Sequence, residues 1–545
     1  MVEGLRVLIT QSTFANIGGS EVQAFELAQY LQSQKCTVTL YAWSAGWPMR
    51  DLIQKAGIDL VVAQDSRAQE LLASEFDFVW VQHEVMPASL LRSFANDEVS
   101  PVVVFSHMSP YKEVHIEKPY TYDLENAVAD LVVCNSRGTQ DSLRDLLPEN
   151  DRIALYPNPV PLEFTNARSR TSWKLHRILM VSNHPPEELE NAIRILRTQG
   201  YVVDTLSDAL GGDSPAITSA DKLAEYDCVI TIGKTVQYCL VQGVPVFVYD
   251  RFGGPGYLNE NNYEVAKYYN FSGRNHDDSF SLGEAMRNAN VNRLSSEDIA
   301  SLLISGYDEA VEFQMQNREA FTGDYSIAPV FDVIFDKASK RLHSKELGCA
   351  YLEYVIATQQ MVSDYVSAHQ RMVDARRAFY SQDILLYSCN DASKNFTQRV
   401  VNLYGSGLRP TNAVEYEAHN VRAVRVDFGE LPCKISDISV ISHANSDEDL
   451  IPCKYSTNAV LIQDGEYVFP YGDPQISVET ESGEGLLPSF TLKATVKPLS
   501  QQYASELGMR HLNDLAKQVQ DLKTELESIK NSRWWKLRGR IIKDK

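Results

Sequence analysis

The sequence predicts an α/β protein of two doubly wound halves, followed by a β-sandwich-like domain and a C-terminal coiled-coil or amphipathic helix. Three observations carry this prediction. Apolar, β-rich runs alternate with helical stretches over roughly the first 340 residues, the pattern of parallel sheets with crossover helices. The texture then changes: short β-rich runs at 421–428, 435–442, 459–463 and 489–496, punctuated by Gly, Pro, Asn and Asp, suit an antiparallel sandwich. Finally, Leu512, Leu515, Val519, Leu522, Leu526 and Ile529 recur at alternating three and four, a heptad seam about three heptads long.

Each element follows in order. A buried strand is expected at 6–10, a Gly-Gly loop at 17–20, an amphipathic helix over 21–34 and a second strand over 37–42. Further strands are expected at 60–62, 78–82, 102–106 and 131–135. Asn158-Pro159-Val160-Pro161 and the polar run 165–172 read as a hinge. The second half starts with a strand at 177–182, then a helix over 187–199 and a strand over 201–206, and ends in helices near 296–340. The expected domains are therefore 1–165, 166–345, a helical connector 346–380, 381–500 and 501–545.

Composition sets outer limits. The chain has 545 residues, 44% hydrophobic and 23% charged, ordinary for a soluble protein with room for several cores. No apolar run is long enough to span a bilayer, and Met1 to Thr10 carries no signal-peptide pattern. The eight Cys lack metal-ligand spacing and mostly sit in apolar surroundings, which suits buried thiols in a reducing cytoplasm. The net charge of −21 argues against general nucleic-acid binding.

The most informative stretch lies at 227–257. A strand at 228–232, a turn at Gly233, a helix starting at about Thr235 and a strand at 244–249 make a βαβ unit, so the two strands should be parallel. Ligands of such sheets gather beyond the carboxyl ends of the strands. Gly233, Lys234 and Thr235 lie there, and a helix N-terminus beside a Lys can seat a phosphate. The plain alternative for Lys234 is a solvated side chain, slightly opposed to the helix dipole. Asp250, after the last strand, could accept from sugar or ribose hydroxyls, or simply shape the turn. Gly253, Gly254 and Gly256 would allow close backbone approach, and Tyr257 could stack on a base or sugar. By the same topological argument His83, Glu84 and His107 end strands of the first half, and Gly18 and Gly19 precede a helix for which Ser20 is the expected N-cap. For His107 the ordinary alternative is a capping or partly buried loop residue. His184 is a candidate phosphate contact, or a cap ahead of Pro185 and Pro186.

Two such halves with a hinge resemble the GT-B fold, two Rossmann-like domains, of nucleotide-sugar glycosyltransferases. The run GGSEVQAFELAQYL at 18–31, then CTVTLY at 36–41, resembles the "GG-x-E … LA-x-x-L … V-x-V" opening of family-four retaining enzymes. DLVVCNS at 130–136 and the linker at 153–160 are similar to that family as well. The SRWWKLR run at 532–538 is close to a terminal element of bacterial polysaccharide-assembly glycosyltransferases. The resemblance implies a donor domain in the second half and an acceptor domain in the first. It suggests a donor-sugar contact for His107, and with Lys234, argued from its place at the helix start, this gives the two catalytic candidates. Taken with the topological argument, the donor candidates are Gly18, Gly19, His184, Gly233, Lys234, Thr235, Asp250, Gly253, Gly254 and Tyr257, and the acceptor candidates are His83 and Glu84. The resemblance implies no metal and no cofactor beyond the donor itself.

The chain departs from the family pattern. The two acids of the family's Glu-x7-Glu motif fall on Ile230 and Tyr238, and its usual Arg and Lys fall on Asn183 and Glu188. Glu260 and Glu264 are candidates to substitute for the acids. Three readings stay open: Lys234 and helix-end amides replace the missing cations, the donor is held in another geometry, or the halves are catalytically inert.

The tail places Trp534, Trp535, Lys536, Arg538 and Arg540 on an aromatic and basic amphipathic helix, suited to an anionic membrane surface or to a partner helix. The expected protein is a cytoplasmic glycosyltransferase, peripheral at the inner face of the cell membrane. It would move a sugar from a nucleotide-diphosphate donor to a growing, lipid-linked bacterial surface polysaccharide, with the 512–529 heptads able to hold a homo-oligomer. The competing expectation is an inactive, glycan-binding assembly scaffold; a sugar-nucleotide epimerase is a third.

Overall fold

The structure is a computed structural model. It describes residues 3–94, 100–111, 122–148, 150–165, 173–182, 185–206, 217–274, 293–341, 345, 347–389, 407–417, 421–443, 451–463, 465–483 and 485–531. His184 and the tail residues Trp534, Trp535, Lys536, Arg538 and Arg540 lie outside them. The chain divides into two compact units, Met1–Arg371 and Met372–Lys545.

The first unit holds two α/β lobes. In the first lobe the strands are β1 (Arg6–Phe14), β2 (Thr37–Ala45), β3 (Asp59–Val62), β4 (Phe78–Gln82), β5 (Val102–His107), β6 (Leu131–Cys134) and β7 (Ile153–Leu155). They form one parallel sheet in the order β3-β2-β1-β4-β5-β6-β7. The helices are α1 (Gly19–Ser33), α2 (Met49–Lys55), α3 (Ala88–Phe94), α4 (Tyr122–Val128) and α5 (Arg137–Ser142). Strand order reverses at β1, which pairs with β2 on one side and β4 on the other. Sheets of this kind bind ligands beyond the carboxyl edge at such a switch point, and Gly18 and His83 follow β1 and β4 there.

The second lobe contains β8 (Arg177–Val181), α6 (Glu187–Thr198), β9 (Val202–Leu206), α7 (Ala220–Ala224), β10 (Cys228–Thr231), α8 (Lys234–Gln242), β11 (Val246–Asp250), β12 (Gly253–Tyr257) and α9 (Tyr263–Tyr268). The sheet order is β12-β11-β10-β8-β9. β10 and β11 are parallel, as the βαβ pattern predicts, with Val229 opposite Val246. The Gly-rich stretch after β11 differs from expectation. It is no loop but the antiparallel strand β12, with Phe247 opposite Tyr257.

Apolar residues cover both faces of each sheet, as buried parallel sheets require. Helices α10 (Ser296–Ser305) and α11 (Tyr307–Tyr325) pack on the second lobe through Ile299, Leu303, Tyr307 and Phe313. The chain then returns. In α12 (Ile327–Ser339), Phe331 and Ile334 enter the first lobe's core with Phe78 and Trp80. In α13 (Cys349–Tyr380), Leu352, Val355 and Val366 pack on its opposite face. A buried ion pair fixes this return: Lys345 Nζ lies 3.0 Å from Asp130 Oδ2, with side chains 1% and 0% exposed. Sequence periodicity assigns this stretch to the end of the second lobe and a connector, because periodicity does not say which sheet a helix covers.

The second unit has two antiparallel sheets. One is ordered β13-β15-β20-β17 and the other β14-β21-β16-β19-β18. The strands are β13 (Ile384–Cys389), β14 (Thr411–Tyr416), β15 (Ala423–Phe428), β16 (Cys433–Ser442), β17 (Cys453–Thr457), β18 (Leu461–Gln463), β19 (Glu466–Phe469), β20 (Gln475–Thr480) and β21 (Phe490–Pro498). Alternate residues of both sheets meet in one core, including Val424, Val426, Ile476 and Val478 from the first and Val414, Ile435, Leu492 and Val496 from the second. A long helix, α14 (Gln501–Asn531), follows. Its Leu512, Leu515, Val519 and Leu522 are exposed.

Candidate functional site

The carboxyl edges of the two sheets in the first unit carry most of the sequence-derived candidates. At the end of β1 the turn into α1 is capped by Gly18, with φ −105° and no side-chain cap bond, so Ser20 is not the N-cap. Ser20 lies inside the helix and links strands to it instead. Its Oγ accepts from Gln11 Nε2 at 3.0 Å and donates to Glu21 Oε2 at 2.9 Å, and its carbonyl accepts from Gln82 Nε2 at 2.8 Å. A Cβ on Gly18 would stand 2.4 Å from Glu21 Oε2, the end of a flexible side chain that can move aside. That carboxylate lies in the first turn, the favoured place for negative charge.

β4 ends in two successive left-handed residues, His83 (φ +57°) and Glu84 (φ +56°). Neither is glycine, so the backbone is strained, and such strain persists where surroundings over-determine it. Part of the surroundings is Gln359 of α13. Its amide donates to the Glu84 carbonyl at 3.0 Å and its oxygen accepts from Met86 N at 2.9 Å. His83 and Glu84 are 3% and 1% exposed, so neither stands on an open acceptor surface. His107 is the last residue of β5 rather than a loop residue. Its Nε2 lies 2.6 Å from Glu125 Oε1 on α4, with both side chains buried. Ligating atoms of Glu84, His107 and Glu125 all lie within 4.8 Å of one another.

In the second lobe Gly233 caps α8 with φ +62° and ψ −135°, a conformation open to glycine. Its N–H donates to Phe271 O at 2.9 Å. Lys234 turns toward the first lobe. Its Nζ lies 2.7 Å from Glu26 Oε2 on α1, donates to Pro159 O at 2.9 Å, and stands 5.0 Å from the Tyr238 ring centroid. Tyr238 donates its hydroxyl to Glu26 Oε1 and stacks on Phe164 at 4.3 Å. Burial pushes the Lys234 ammonium down and the Glu26 carboxyl up, and their mutual attraction opposes both shifts. The expected diphosphate grip is thus engaged in a buried pair between the lobes. Thr235, next along α8, is half-buried.

The remaining donor-side candidates hold the lobe together. Asp250 accepts from Ser182 Oγ through both oxygens at 3.0 Å and from Arg251 N at 2.8 Å, tying the ends of β8 and β11. A Cβ on Gly254 would lie 2.0 Å from Val248 O, so this glycine answers to a neighbouring strand. Tyr257 points into the core. Its hydroxyl donates to Leu303 O at 2.9 Å, and its ring meets Phe247 edge-on at 5.1 Å. A side chain so held cannot stack on a base. Glu260 and Glu264 are exposed.

Sequence reasoning missed several residues at the junction. Besides Glu26, Glu125 and Gln359, an amide chain runs from Gln23 to Asn158 at 3.3 Å and from Asn158 to Asn270 at 2.9 Å. Arg274 is 5% exposed, and its guanidinium lies 5.3 Å from the Tyr111 ring of the first lobe and 5.2 Å from that of Tyr269. Only the position of Glu26 inside the helix of the Gly-Gly motif gave any signal.

The family model of Glycosyltransferase Family 4 matches residues 17–164. No curated protein matches the chain. Among solved structures, a glycosyltransferase from Rickettsia africae ESF-5 is similar at 13% identity, over 62% of this chain and 98% of that one, with a TM-score of 0.41. Anabaena Alr3699/HepE in complex with UDP-glucose is similar at 12% identity, over 62% and 100%, with a TM-score of 0.38. The lipopolysaccharide outer core galactosyltransferase WaaB is similar at 12% identity, over 62% and 100%, with a TM-score of 0.36. The family match begins at the Gly-Gly turn and ends at the hinge. The first lobe, residues 17–164, is thus similar to Glycosyltransferase Family 4.

Proposed function

We propose that this chain transfers a sugar from a nucleotide-diphosphate donor to a growing, lipid-linked bacterial surface polysaccharide, with retention of anomeric configuration. One observation carries the reading: α1, which opens the family-four match at its N-terminus, meets α8 of the second lobe through the Glu26–Lys234 pair. Both helices start at the carboxyl edges of their sheets, where helix N-terminal dipoles favour a diphosphate. Lys234 then braces the lobes from beneath, and Gly233 and Thr235 shape the helix end that faces the phosphates. Charge accumulates on the leaving diphosphate as the glycosidic bond breaks, and aimed amides stabilise it. The leaving phosphate takes the acceptor proton, so transfer needs neither a protein base nor a metal bridging the donor.

Among the described residues no helix is long and apolar enough to cross a membrane. In this proposal the basic, aromatic tail holds the protein at the cytoplasmic face of the membrane, where a lipid-linked acceptor is presented. The 512–529 seam would bring several tails together.

A second reading, an inactive glycan-binding scaffold, is favoured by one observation: Tyr238, at the place of a family acid, is tied to Glu26 beside the buried Lys234. A panel of nucleotide sugars tested by thermal shift and by turnover with lipid-linked acceptor separates the two. Stabilisation by one donor with product formation is expected. Glycan binding without donor stabilisation or product supports the scaffold and overturns the enzyme. Interconversion of free sugar nucleotides without acceptor would mean epimerase chemistry instead.

A further inference from the structure

We infer that Glu84, His107 and Glu125 form a binding site for a divalent first-row metal ion of the zinc or manganese class. Three separate elements supply the donors: the turn after β4, the end of β5 and helix α4. Their ligating atoms lie within 4.8 Å of one another, and the side chains are 1%, 2% and 0% exposed. One imidazole with two carboxylates is a mixed N/O donor set. Zinc and manganese accept such a set, whereas calcium and magnesium favour oxygen alone. A doubly charged cation with two carboxylates and a neutral imidazole is electrically balanced, which suits a site closed to water.

The geometry is near that required. His107 Nε2 and Glu125 Oε1 are 2.6 Å apart, a direct contact. Tetrahedral bonds of about 2.0–2.1 Å place ligand atoms roughly 3.3 Å from one another, so these two separate by less than about 1 Å while Glu84 moves in. Three protein ligands leave a fourth position that a single enclosed water would fill. The ligand turn is itself held: residues 83 and 84 keep left-handed backbone angles, and Gln359 fixes the Glu84 carbonyl from α13. Support of this kind orients metal ligands, and its loss commonly lowers affinity about 10–100-fold. The site belongs to the first lobe alone and does not depend on the donor reading above.

The test uses the full chain, stripped with chelator and titrated with Zn2+ and with Mn2+ by calorimetry. Metal content is measured after desalting, and Co2+ absorption serves as a reporter of coordination. About one equivalent should bind and raise Tm. Glu84→Gln and Glu125→Gln, isosteric changes with circular dichroism checked, should each weaken binding at least about 10-fold, and Gln359→Leu should weaken it about 10-fold. If Zn2+ and Mn2+ both bind at well under one equivalent, or if binding is unchanged in the folded Gln variants, the assignment is wrong.

Discussion

Lys234 Nζ of the second lobe lies 2.7 Å from Glu26 Oε2 of the first, with both side chains 6% exposed. The pair reaches across the hinge and is completed by Pro159 O and the Tyr238 hydroxyl. Breaking one side of such a buried pair typically costs about 3–5 kcal/mol, since an uncompensated charge or a forced protonation remains. Lys234→Met should therefore lower stability by an amount of that order, measured by denaturant unfolding. The double variant Glu26→Leu/Lys234→Met should recover much of the loss, because apolar replacement of both partners removes the desolvation penalty. The same variants test the catalytic expectation. If Lys234 contacts the diphosphate, Lys234→Met abolishes donor stabilisation and the double variant does not restore it. If Lys234 only braces the lobes, donor binding returns with stability.

Gly254 makes a different prediction. An added methyl would meet the Val248 carbonyl at 2.0 Å, backbone against backbone, with no flexible side chain to yield. Gly254→Ala should destabilise by at least about 1–3 kcal/mol, as overpacking does. Unchanged Tm with a raised donor KM would instead show that a ligand required this glycine.

In the second unit Asp427 is held by Arg425 at 2.8 and 2.9 Å, yet its carboxyl is pushed up to about 6 because burial outweighs the pair. The folded state therefore binds more protons than the unfolded state between about pH 4 and 6, and stability from this group falls as pH rises through that window. Asp427→Asn should flatten this slope. Relative to the parent, the variant gains on the order of 1–3 kcal/mol between pH 4 and pH 7. Hydrogen exchange of β15 and β20 across that range reads it out; parallel pH profiles for the two proteins would refute it.

Removal of residues 531–545 should release the protein from anionic vesicles while leaving neutral vesicles indifferent. The full chain should itself lose binding as salt rises and the Debye length shrinks, so the effect of truncation is largest at low salt. Retention by anionic vesicles after truncation would remove the membrane proposal.

Local patterns placed most elements well. The βαβ unit at 228–250, the Gly-Gly helix start and the strand ends bearing His83, His107 and Asp250 all follow from apolar periodicity and turn chemistry, which act over a few residues. The same patterns misread β12. Its glycines suggested an open loop, while pairing with β11 makes it a strand. They also left the return of α12 and α13 to the first lobe invisible, since an amphipathic helix does not name the sheet it will cover.

The sequence by itself determined the doubly wound lobes, the β-rich second unit and the family resemblance of the first lobe, because these depend on residue spacing along the chain. Tertiary structure alone decided what the polar residues do. Tyr238 meets Glu26 from 212 positions away, and Tyr257 reaches Leu303 rather than a ligand. A buried charge or hydroxyl must find a partner, and that partner is chosen by which distant segments the packed sheets bring together.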